Sequence, residues 1–91
     1  MKTLKKAIET YGEDMQLTVA IEELSELIKE ICKYKRGNNN RKNIIEEMAD
    51  CYIMLEQLAM IFDIPNHAIN EMVDKKITRL ENRLTESEDK I

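Results

Sequence analysis

The chain has 91 residues, with 14 basic and 18 acidic side chains and a net charge of −4, enough for one domain and too acidic for a holder of duplex nucleic acid. Its two cysteines, Cys32 and Cys51, lack CxxC spacing, so they build neither a disulfide framework nor a zinc site. No apolar run exceeds five residues, far short of the roughly 20 that a membrane-spanning helix needs.

Two Gly, one Pro, no Trp and 35% charged residues leave little chain for tight turns or strands, and with long periodic runs this composition is all-helical. Lys2, Lys5 and Lys6 lead into Glu9 instead of an apolar core, so no signal peptide is expected and the cytoplasm is the expected location. Residues 2–11 form a short helix with Leu4, Ala7, Ile8 and Tyr11 on one side, broken at Tyr11-Gly12. A second helix spans about Glu13 to Arg36, acidic at its start and basic at its end as the helix dipole favours. Its apolar stripe is Leu17, Ala20, Leu24, Leu27, Ile31 and Tyr34, at 3-4-3-4-3 spacing.

Gly37-Asn38-Asn39-Asn40 is the clearest loop, with Gly37 placed to end the helix. A third helix starts near Lys42 or Asn43, where Asn43 and Glu46 have capping-box spacing. Its expected core stripe is Ile45, Met48, Tyr52, Leu55, Ala59 and Phe62, with Ile53, Met54, Leu58, Met60 and Ile61 covering much of the other side. One small domain does not easily bury a helix all round, so a second subunit is expected against this helix. Asp63-Ile64-Pro65-Asn66 breaks the pattern, and a fourth helix starts at Pro65 or Asn66 with Ile69, Met72, Val73, Ile77, Leu80 and Leu84 as its stripe. The expected fold is therefore an all-α antiparallel bundle of three long helices plus a short N-terminal one. It is a single domain over residues 1–91, frayed from 85 to 91, and oligomerises through the bundle.

The chemistry sits in two acidic segments, Glu22-Glu23-Leu24-Ser25-Glu26 and Glu47-Met48-Ala49-Asp50. Residues three apart share a helix face, so Glu23 with Glu26, and Glu47 with Asp50, each present two carboxylates the same way. Folding one helix back on the other gathers four hard oxygen donors, a set suited to Mg²⁺ or a similar cation. A solvated face normally alternates charge, yet no Lys or Arg lies between Lys6 and Lys29. Asp50 also leads straight into the apolar run CYIMLEQLAMIF, where an unpaired carboxylate is costly.

Helix four carries Lys76 and Arg79 at i, i+3, with Arg83 a further turn along. They suit phosphate oxygens, although spacing alone fits equally a solvated face with pairs such as Glu71 to Lys75. His67, the only histidine, excludes a di-iron Glu-x-x-His pair and a zincin. Ser25 has no base partner for nucleophilic catalysis. Tyr34 and Tyr52 fall on apolar stripes, and no Gly-rich phosphate loop exists.

Glu22-Glu23-x-x-Glu26, 20 intervening residues, then Glu47-x-x-Asp50 resembles the EExxE…ExxD signature of the MazG-like all-α nucleoside triphosphate pyrophosphohydrolases, in the compact single-module form of bacteria and phages. The resemblance implies an enzyme that hydrolyses a (deoxy)nucleoside triphosphate to the monophosphate and pyrophosphate with Mg²⁺, or Mn²⁺ in its place. It implies metal ligands at Glu23, Glu26, Glu47 and Asp50, with Glu22 as an accessory acid that orients the attacking water. Asp74-x-Lys76-x-x-Arg79 is similar to the family's Asn-x-Lys-x-x-Arg phosphate motif, with Asp replacing Asn. Expected partners are the nucleotide and further copies of the chain, as homodimer or homotetramer. Two alternatives stay open: a pyrophosphohydrolase for phosphoribosyl-ATP or dUTP/dCTP, and a helical interaction module that binds no metal.

Overall fold

A computed structural model describes residues 2–89, as four helices in the order α1 (Lys2–Tyr11), α2 (Glu13–Lys35), α3 (Arg41–Ile61) and α4 (Asn66–Asp89). The all-α bundle expected from the sequence is observed. Its connections are set by local chemistry. Gly12 sits at φ 90 between α1 and α2, a conformation that needs no Cβ. Gly37, at φ 98, closes α2 with a Schellman pair in which its N–H donates to Tyr34 O at 2.9 Å and Asn38 N–H to Lys33 O at 3.1 Å. The same closure ends α3, but there the left-handed residue is Asp63, at φ 53. Asp63 N–H donates to Met60 O at 3.2 Å and Ile64 N–H to Ala59 O at 2.8 Å.

The start of α3 differs from the expected capping box. The helix begins at Arg41 after Asn40, without a side-chain cap. Asn40 instead donates from Nδ2 to Glu30 O at 2.8 Å, so its amide ties the start of α3 to the end of α2. α4 continues helically through Thr85–Asp89, where fraying was expected; residues 90 and 91 lie outside the described residues.

α2 and α3 form the main seam, and α1 packs against both. Two cross-links fix its antiparallel register: Asn40 to Glu30 at one end, and the Cys51 thiol donating to Glu23 O at 3.6 Å further along. The seam uses only part of the faces read from periodicity: Leu17, Ala20 and Leu27 of the α2 stripe turn inward, and the rest of that stripe does not. On α2 the buried residues are Gln16, Ala20 and Glu30, with Glu23 and Leu27 half-buried between them, while Leu24, Ile31 and Tyr34 are exposed. On α3 the buried residues are Cys51, Met54 and Gln57, while Ile45, Met48, Tyr52, Leu55 and Phe62 are exposed. Met54 thus belongs to the chain's own core at 5% exposure, not to a face awaiting a second subunit. α3 is apolar on opposite sides, so its period locates the faces without saying which one turns inward.

α4 buries none of its described side chains, and its whole apolar stripe is exposed. The radius of gyration is 17.2 Å, against about 12 Å for a compact chain of this length.

Candidate metal centre

Glu23 lies on the buried row of α2, and Glu47 and Asp50 lie one turn apart on the facing edge of α3. Small residues let the two helices approach here. Ala20 is 2% exposed and Cys51 6% exposed. Across that approach one carboxylate oxygen each from Glu23, Glu47 and Asp50 come within 4.8 Å of one another, all three residues half-buried.

The electrostatics follow from crowding. A hydrogen bond shared with Asp50 raises the Glu23 carboxyl above its usual range, helped by burial and by the charges of Asp50, Glu47 and Glu26. Burial raises Glu47, reinforced by Asp50, Glu26, Glu30 and Glu46. Burial also raises the Cys51 thiol, with Glu47, Glu23 and Asp50 adding to it, so this sulfur is held as a protonated donor. Glu47 Oε2 is buried without a hydrogen-bond partner. Among the described residues the one ion pair is Lys33 Nζ to Glu30 Oε2, at 3.5 Å, so no cationic side chain answers the three converging acids. Hard oxygen donors, one of them orphaned, with excess negative charge fit a divalent cation.

Of the residues singled out in the sequence, the structure brings together Glu23, Glu47 and Asp50. Glu26 is exposed and outside that group, though its charge reaches Glu23 and Glu47. Glu22 is exposed, a further step round α2 from the seam. Lys76 and Arg79 stand on exposed α4 without an ion pair among the described residues. The sequence places Glu30 beside Glu23 at the margin of the buried stripe, two helical turns on, but gives it no site role; it reads Asn40 only as a turn former, whereas the structure has Asn40 tie the end of the hairpin to Glu30 O.

The match to a family model decides the assignment: the MazG nucleotide pyrophosphohydrolase domain aligns over residues 12–84. The chain belongs to this family. The match takes in α2, α3 and α4 as far as Leu84 and leaves α1 outside. No curated protein and no solved structure matched the chain. As a MazG domain the chain is a nucleotide pyrophosphohydrolase, a hydrolase acting on a phosphoric anhydride. Among the described residues no helix is long and apolar enough to cross a membrane.

Proposed function

We propose that this MazG domain hydrolyses a nucleoside triphosphate, in its deoxy form, to the monophosphate and pyrophosphate, with Mg²⁺ or Mn²⁺ as the cation. The observation that carries the reading is the meeting of Glu23, Glu47 and Asp50 oxygens within 4.8 Å across two helices. These three residues would hold the cation, and Glu26, exposed one turn along α2 with its charge bearing on Glu23 and Glu47, would be the fourth ligand. A cation bound there would offset triphosphate charge and lower the pKa of a water. Glu22, exposed and outside the ligand group, would orient the attacking water. Lys76 and Arg79 take the phosphate oxygens, Arg79 through its planar fork.

A second copy of the chain completes the fold. The accessible surface is 7683 Å², against about 5,500 Å² for a compact monomer of this mass. The excess is the size of an extensive subunit interface. Its place follows from the helical wheel. At about 100° per residue, the exposed apolar rows Leu24-Ile28-Ile31 on α2 and Met48-Tyr52-Leu55 on α3 both lie to one side of the seam, and Glu26 and Asp50 lie to the other. Because the helices run antiparallel, each pair of rows turns to a common side. The hairpin therefore has an apolar face for a second copy and an acidic face open to substrate.

The test is a panel of ribo- and deoxynucleoside triphosphates, with dUTP, dCTP and phosphoribosyl-ATP included, assayed for pyrophosphate with and without Mg²⁺. Pyrophosphate release from at least one, abolished by chelator and by Glu47→Gln at unchanged helix content, is the expected result. Full turnover in excess chelator refutes the metal reading, and release of orthophosphate instead refutes the position of cleavage.

A further inference from the structure

α4 is 24 residues long, and its side chains are exposed along the whole described length. From Val73 onward its apolar residues recur as Val73, Ile77, Leu80 and Leu84, at 4-3-4 spacing. That is the seam of a two-stranded coiled coil, with Val73 and Leu80 at d and Ile77 and Leu84 at a. Charge is sorted by sign on the two margins of this seam. Lys76 and Arg83 occupy successive g positions, whereas Asp74, Glu81 and Glu88 occupy successive e positions. A helix that faces only water sets opposite charges three or four residues apart along itself. Of these five, only Arg83 has an opposite charge at either spacing, Glu86, and none of the five is in an ion pair in the structure. A second helix in the same register supplies the missing partners. In a parallel pair each g residue meets the e residue five positions further along the other chain, which sets Lys76 against Glu81 and Arg83 against Glu88. An antiparallel pair sets base against base and acid against acid.

We propose that α4 is a parallel dimerisation helix whose partner is the α4 of a second copy. The proposal rests on the reading that a second copy completes the fold, and gives that copy an orientation. The two surfaces are continuous. The cleft between α3 and α4 is lined by Tyr52, Leu55 and Ala59 on one wall and by Ile69 and Asn70 on the other, so the exposed row of α3 runs into the face of α4 that carries the seam. Asn70 is the a position one heptad before Ile77, and a lone Asn at such a place fixes register. Arg79 falls outside the seam and Lys76 at its solvent-facing rim, so neither is enclosed.

Ser87 is the d position after Leu80, so a parallel seam lays its two copies side by side. The exposed thiol is removed by Cys32→Ser, Ser87→Cys is added, and the protein is oxidised in glutathione buffer and run on a denaturing gel. Glu86→Cys, one residue earlier and facing outward, is the control for chance collisions. A covalent dimer from Ser87→Cys and little from Glu86→Cys is the expected result. In an antiparallel pair centred on Ile77 the two copies of position 87 stand about 30 Å apart and do not link. Sedimentation equilibrium reads the charges, with circular dichroism as the folding control. Arg83→Glu and Glu88→Arg each weaken association about tenfold, because two rim contacts per dimer turn repulsive. An equimolar mixture of the two regains the wild-type affinity, since each reversed charge meets the other. Equal cross-linking at positions 86 and 87, or charge variants that associate like the wild type, in a protein that is dimeric overturns the α4 seam and leaves the α2–α3 face standing. A monomeric wild type overturns both.

Discussion

Lysine at position 55 tests whether a second copy covers the apolar face. Leu55 is 54% exposed beside Tyr52 at 68%, on the side of α3 turned away from the chain's own core. Fully burying a leucine side chain is worth about 1.5–3 kcal/mol, so the half still exposed contributes about 1 kcal/mol per copy at an interface. A twofold interface counts it twice, about 2 kcal/mol, and an ammonium set into that contact costs at least as much again. Leu55→Lys is therefore expected to weaken association by 4 kcal/mol or so, roughly a thousandfold in Kd. Sedimentation equilibrium measures this directly, with circular dichroism to confirm that helix content is kept. Met54→Lys is the control: one position earlier but 5% exposed, it unfolds the protein instead of dissociating it. A wild type that stays monomeric at high micromolar concentration, or a Leu55→Lys variant that associates like the wild type, refutes the assignment of this face.

Mg²⁺ at a hundredfold excess over its Kd stabilises the native state by about 2.7 kcal/mol, so the melting temperature of a chain this size rises by about 10–20 °C; Glu23→Gln loses most of that rise, and an equal rise in both removes Glu23 from the metal site. In chelator the sign of the pH dependence follows from raised native carboxyl values at Glu23 and Glu47. The native state holds more protons than the unfolded one, so the contribution is fully present below about pH 4.3 and is lost as pH rises through the raised values. Melting scans against pH check this fall, which Glu23→Gln makes shallower. Arg79→Ala lowers kcat/KM about tenfold or more, the worth of a charged hydrogen bond, with an unchanged melting temperature; unchanged kinetics return α4's basic row to a solvated face. Asp63→Gly raises stability by about 0.5–1 kcal/mol because φ 53 suits glycine, and a lower melting temperature contradicts that reading.

Helix positions were legible because the signals for them are local. The break expected at Gly12 separates α1 from α2, Gly37 closes α2 as its place in the sequence predicted, and α4 begins at Asn66 after Pro65. The convergence of Glu23, Glu47 and Asp50 was legible because i, i+3 spacing fixes a shared face on one helix, and a short loop fixes the antiparallel return. The inner face was not legible. Periodicity reports where apolar side chains lie, and in a protein whose apolar rows are exposed within one chain it points outward. The expected rows through Leu24 and Ile31 on α2 and through Tyr52 and Leu55 on α3 are exposed, while the seam is shared by Gln16, Glu30 and Gln57. Asn40 was unreadable for a related reason: its amide acts ten residues away, on Glu30.

A polar seam is an expensive way to join two helices, and its arrangement shows what the expense serves. Local rules are broken together here: a half-buried acid trio, a buried Glu30 whose one cation stands off at 3.5 Å, and glutamines where a hairpin core normally holds leucine. Such violations gather at sites of function, where the surrounding structure must hold them in place. Two features do the holding. Ala20 and Cys51 keep the helices close enough for acids on opposite helices to meet, and the Cys51 thiol spends its donor on Glu23 O. A larger side chain at either position drives α2 and α3 apart and dissolves the centre without touching a carboxylate. The apolar surface that this seam forgoes is displayed on the other side of the same hairpin. Under the proposed function a second copy would cover it, completing the fold between chains and leaving the acidic face free for a cation.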